Sequence, residues 1–112
     1  MIRTTTIPLV LTSGAAAVAT QAIYVGGNKL AFQVVSAPGN LVDLEGSLDG
    51  TTWVDLNYDN VAGAYTLTVI GNVGAGYYEV FERPKYVRMV VEIDATPNRD
   101  YHAVLLVKKE SD

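Results

Sequence analysis

The sequence predicts an all-β fold, an antiparallel β-sandwich of jelly-roll-like type with about eight short strands. Three observations carry this. The chain is rich in β-branched and aromatic residues and is punctuated by Gly, Pro, Asn and Asp. Four segments alternate apolar and polar residues with period two, the strand pattern, because successive side chains leave opposite faces. The strand-like segments also recur at short, regular intervals.

Taken in order, residues 1–20 read as an N-terminal arm and residues 21–112 as the sandwich domain. The arm holds Arg3, three consecutive Thr, the apolar run Ile7 to Leu11 and then small residues, without sustained alternation. A strand is expected within residues 4–11 or 20–25, and a helical turn is open for residues 15–22 by propensity. In residues 29–36, Leu30, Phe32 and Val34 share one face. In residues 41–48, Val42, Leu44 and Leu48 share a face opposite Asp43, Glu45 and Ser47. Weaker strands are expected at 52–56, 65–70 and 77–82. In residues 86–93, Val87, Met89, Val91 and Ile93 lie opposite Arg88 and Glu92. In residues 101–109, Ala103, Leu105 and Val107 alternate with His102, Val104 and Leu106. The predicted core is therefore Leu30, Phe32, Val34, Val42, Leu44, Leu48, Val87, Met89, Val91, Leu105 and Val107. Loops fall at Gly26-Gly27-Asn28, Pro38-Gly39-Asn40, Gly71 to Gly76 and Pro97-Asn98, and Asp49-Gly50 marks a hairpin tip.

The 112 residues fit one domain, and 49% hydrophobic content supports one core. Eight basic and twelve acidic residues give a net charge of −4, which disfavours broad binding to nucleic-acid phosphates. With no cysteine, disulfides, thiolate metal sites and thiol nucleophiles are excluded. No apolar run approaches the roughly 18 residues of a membrane span. Pro8 inside the short apolar run argues against a signal peptide. Neither nucleic acid nor membrane is expected as a partner.

No catalytic pattern is legible, and no enzyme activity, cofactor or metal is expected. His102 is the only histidine and reads as a structural or surface residue. Asp55, Asn57 and Asp59 have the spacing of a calcium loop, but Asn60 stands where a Gly is needed and Thr66 where a bidentate Glu is needed. A solvated loop is the better reading. The Gly71–Gly76 segment lacks the Lys-Ser/Thr ending of a phosphate cradle. Trp53, Tyr58, Tyr65, Tyr77, Tyr78, Tyr86 and Tyr101 suit core or interface packing, with a sugar-stacking platform as the rival.

The segment from Val42 to Leu56 contains Ser47-Leu48-Asp49-Gly50-Thr51-Thr52-Trp53, and a later segment reads Tyr86-Val87-Arg88-Met89-Val90-Val91. Together with Leu30-Ala31-Phe32-Gln33-Val34, these resemble small β-sandwich virion structural proteins of tailed bacteriophages, of the capsid decoration (cement) or head-fibre type. The Ser-Leu-Asp-Gly-Thr-Thr-Trp hairpin is also similar to discoidin-type and carbohydrate-binding sandwiches. The phage resemblance implies a capsid decoration protein at the virion surface that stabilises the shell by protein–protein contacts. It implies the major capsid protein as partner and a homo-oligomer, with a trimer favoured. Arg3, Thr4, Thr5, Thr6, Ile7 and Leu9 are the expected capsid or subunit contacts. The alternative is a carbohydrate- or receptor-binding module of a phage tail or secreted enzyme.

Overall fold

The computed structural model describes residues 2–61 and 66–110. Its strands are β1 (Ile2–Thr12), β2 (Val18–Ala19), β3 (Ile23–Tyr24), β4 (Lys29–Ser36), β5 (Val42–Ser47), β6 (Val54–Asp55), β7 (Asn57–Val61), β8 (Thr66–Val69), β9 (Gly76–Glu79), β10 (Tyr86–Val91) and β11 (Asp100–Glu110). No helix forms among the described residues. One sheet has the order β1-β11-β4-β9. The second has the order β2-β10-β5-β6, with β3 also on β10, and β7-β8 is a separate hairpin. The described pairings are antiparallel. The chain leaves the first sheet for the second after β1, β4 and β9 and returns to the first at β4, β9 and β11, so the expected antiparallel sandwich is the observed fold.

The period-two readings place the core. Leu30, Phe32, Val34 and Leu105 of the first sheet meet Val42, Leu44, Val87, Met89 and Val91 of the second, and all are buried. Val107 is half-buried and packs against this cluster. Leu48 is a correction: it is 73% exposed. β5 ends at Ser47, whose Oγ accepts the N–H groups of Asp49 and Gly50, so the chain turns before Leu48 can continue the alternation. Ile93 leaves the core for the same reason, since β10 ends at Val91 and the Asp94 N–H bonds to the Gly14 carbonyl.

The arm expected over residues 1–20 is also corrected. β1 pairs with β11 without interruption from Ile2↔Glu110 to Thr12↔Asp100, and Leu9 is a core residue. Apolar residues at both Leu9 and Val10 hid the alternation. Residues 15–22 form no helical turn. Thr20 instead bonds Met89 twice, its N–H to the carbonyl and its Oγ1 to the N–H, which holds this stretch beside β10.

Asp55 and Asn57 lie on strands, not in a solvated loop. The Asn57 N–H and Nδ2 both donate to the Glu82 carboxylate. Of the weak strands expected at 52–56, 65–70 and 77–82, shorter ones form at β6, β8 and β9, and Tyr65 lies outside the described residues.

Candidate functional site

The outer face of the first sheet follows from its register. Thr6, Leu106, Ala31 and Glu79 form one row across β1, β11, β4 and β9, and Pro8, Val104, Gln33 and Tyr77 form the next. Val10 lies beyond, opposite His102. Val35 is left unpaired by a bulge, because His102 pairs with Ser36 while Ala103 pairs with Val34. The face that turns away from the core is therefore rich in apolar groups. Val10 is 56%, Val35 57% and Tyr77 57% exposed. Val104 and Leu106 are half-buried between them. A solvated antiparallel sheet needs apolar residues on one face only, so apolar residues on both faces of β1 and β11 require a further cause. Contiguous exposed apolar surface is where interaction sites are commonly found.

The expected contact residues divide across this sheet. Thr4 and Thr6 belong to the outer rows. Thr5, Ile7 and Leu9 alternate with them toward the core, where Ile7 is half-buried and Leu9 is 5% exposed. Leu9 is thus a packing residue of this chain. Arg3 is exposed opposite Lys109. The readable signal for the face was the apolar residues at Val104 and Leu106, on the side of β11 that also carries His102.

The Ser-Leu-Asp-Gly-Thr-Thr-Trp segment is a folded turn organised by one carboxylate. Asp49 Oδ1 accepts the N–H groups of Thr51 and Thr52, each at 2.8 Å, and the Ser47 hydroxyl at 2.9 Å. These donors hold the Asp49 carboxyl well below the usual carboxylate range, the Thr52 N–H acting most strongly. Gly50 takes φ 80°, the left-handed region that glycine enters without a Cβ clash. The turn delivers Trp53 to the outer face of the second sheet, where the Arg88 guanidinium lies 4.4 Å from its ring centre and pairs with Glu45 at 2.7 Å. The turn also borders an apolar hollow of about 480 Å³ lined in part by Leu48, Val54, Leu56 and Pro84.

Beside this ion pair the second sheet gathers carboxylates. Asp43 is 5% exposed and accepts the Asn72 N–H at 2.7 Å. Burial first, and then the neighbouring Glu92 and Asp55, push its carboxyl up to about 7. Asp55 is raised too, by burial and then by Glu45 and Glu92. Among the described residues, no three His, Cys, Asp or Glu side chains are grouped to hold a metal ion.

A second buried carboxylate ties loops together. Asp94 is 3% exposed and receives Arg99 through two bonds of 3.0 and 2.7 Å and the Tyr101 hydroxyl at 3.0 Å. The Tyr101 oxygen in turn accepts the Gly39 N–H. Arg99 is the main cause of an Asp94 carboxyl held below the usual range. The remaining tyrosines pack mostly on one another: Tyr58 meets Tyr78 edge-on at 4.9 Å, and Tyr24 meets Tyr86 at 5.4 Å.

The sequence matches no protein-family model and no curated protein. The fold is shared with a solved structure. The SPBc2 prophage-derived protein YomS superposes with a TM-score of 0.66 at 11% identity, over 97% of this chain and 96% of that one. A structure of Bacillus endospore appendages, described as a novel family of disulfide-linked pili, superposes with a TM-score of 0.47 at 12% identity, over 97% and 89%. At 11% identity the likeness to YomS establishes a common fold alone.

Proposed function

We propose that this chain is a virion structural protein of a bacteriophage that decorates the capsid and stabilises it by adhesion. The outer face of the first sheet is the observation that carries the reading: Val10, Val35 and Tyr77 stand more than half exposed on a rigid four-stranded surface. Burying such a face against an assembled shell stabilises the shell by mass action, because the dissociated subunits lack the complete site. Repetition in a symmetric oligomer, a trimer in the first instance, multiplies weak contacts. The prophage origin of YomS supports the phage assignment.

The test is co-sedimentation with capsids of the parent phage. The protein is expected to pellet with assembled shells and not with free capsid subunits. Val10→Glu combined with Tyr77→Glu should remove binding while leaving circular dichroism unchanged. Equal pelleting of this variant would reject the face as the attachment surface.

A second reading has its own observation. Tyr24 is 67% exposed and is held edge-on against Tyr86, the preset geometry of a sugar-stacking platform. Glycan-array binding lost in Tyr24→Ala and retained in the Val10/Tyr77 variant would favour this reading over adhesion.

A further inference from the structure

Although the chain carries a net charge of −4, three of its eight basic residues converge at one place. Lys29 opens β4 and lies directly opposite Lys108 of β11. Arg83 is brought alongside by the Gly26–Asn28 turn, since the Gly27 N–H bonds to the Pro84 carbonyl at 2.9 Å and the Gly26 N–H to the Lys85 carbonyl. With Ile2 and Asn28, these three cations line a hollow of about 250 Å³. Lys29 and Arg83 also line a neighbouring hollow of about 310 Å³ together with Glu79, Val80 and Phe81, the last 59% exposed.

The local carboxylate does not neutralise this group. Glu79 Oε1 receives Lys108 at 3.3 Å and also the Tyr77 hydroxyl at 2.9 Å. Among the side chains the structure describes, which exclude that of Glu110, no carboxylate lies within 4 Å of Lys29 or Arg83. Two adjacent exposed cations of like charge repel, and an anion seated between them removes that repulsion.

We propose that the Lys29–Arg83–Lys108 hollow is a binding site for an acidic segment of a partner protein. A partner carboxylate sits between the Arg83 fork and the Lys29 ammonium, with Lys108, already paired with Glu79, adding its charge from the adjacent strand. The fork suits a planar carboxylate through two parallel hydrogen bonds, while the lysines act as point charges. The flanking surfaces decide the class of ligand. Ile2 on one side and Phe81 on the other accept apolar side chains next to the acid, which a peptide offers and a free phosphate does not. A polyanion such as nucleic acid is disfavoured because the rest of the molecule is acidic. The site does not depend on the capsid reading, since it lies at the end of the sheet and uses charge where the outer face uses apolar area.

The experiment is an amide NMR titration of the full chain with a capped peptide of two Glu flanking a Leu. Its Gln counterpart and inorganic phosphate serve as parallel probes. The acidic peptide should shift the amides of Lys29, Arg83 and Lys108 in a saturable way. Its affinity should fall at least tenfold in Arg83→Ala and in Lys29→Ala, both exposed positions whose variants fold. It should also weaken with added salt. Binding of the Gln peptide equal to that of the Glu peptide would overturn the proposal. So would phosphate shifting the same amides at least as strongly at equal concentration, which would make this a general oxyanion site. Absence of saturable shifts would overturn it as well.

Discussion

At the scale of single residues, one carboxylate does the work of a whole turn. Asp49 replaces the missing cross-strand partners of residues 51 and 52, which explains Asp at this position of the motif. Asp49→Ala should lower the melting temperature at pH 7. Because folding depresses this carboxyl from its ordinary 3.8, its contribution is present above that value and is lost as pH falls through the folded pKa. The difference between wild type and variant should therefore narrow in melts recorded below about pH 4. Gly50→Val should cost roughly 1–2 kcal/mol through its left-handed backbone, and urea titration should show Gly50→Asn as the milder change. A Cβ at Gly50 would meet the Tyr86 ring only at ordinary contact distance, 3.7 Å, so the penalty is conformational rather than steric. Tyr101→Phe removes the acceptor of the Gly39 N–H and one donor to Asp94. It should destabilise by about 1–3 kcal/mol in the same assay, and an unchanged midpoint would show that water replaces the hydroxyl.

At the scale of elements, β1 is structural before it is anything else. Leu9→Ala should cost about 2–5 kcal/mol, measured by denaturant unfolding, and removing residues 2–12 should unfold the domain, since Ile7, Leu9 and Leu11 all pack on the core. A deletion variant with an intact thermal transition would show that the sandwich folds without β1. The β5–β10 pair makes a pH prediction of opposite sign to Asp49. Asp43 titrates near 3.8 when unfolded and about 7 when folded, so the native state holds the extra proton between those values. Stability should fall by up to a few kcal/mol as pH rises through this window. Thermal melts at pH 5 and pH 8 should differ accordingly, and Asp43→Asn should flatten the difference. These elements also show what the sequence disclosed. β4, β5, β10 and β11 were legible because each places its apolar residues at every second position against one core. β1 was legible only as a strand within residues 4–11, without its full length or its partner, because Leu9 and Val10 serve opposite faces. β7 was not, because Asn57, Asp59 and Asn60 carry little strand propensity and pairing with β8 decided their conformation.

At the scale of the whole molecule, the two sheets present different chemistry to solvent. The first offers Pro8, Val10, Val35 and Tyr77, ending at Lys29 and Lys108. The second offers Glu45, Asp55 and Glu92, with Asp43 buried behind them, around the Arg88–Trp53 stack. The division was partly readable, since the acidic residues alternate with the core residues of β5. The apolar face was written in β1 and β11, but only the pairing of β1 with β11 makes one surface of them. Analytical ultracentrifugation should report this asymmetry. Sedimentation with capsids through the apolar face should persist in high salt, because hydrophobic contact is not screened, and should weaken in Tyr77→Glu.

The antiparallel pairing of β1 with β11 has a mechanical consequence. Ile2 stands opposite Glu110, so the first residue of β1 and the last of β11 meet at one corner. Tension applied between Ile2 and Glu110 loads the backbone hydrogen bonds one after another, as a zipper is opened, rather than all together in shear. The domain should therefore peel at low force when pulled by both ends. A load carried through one end alone and the outer face would bypass this seam.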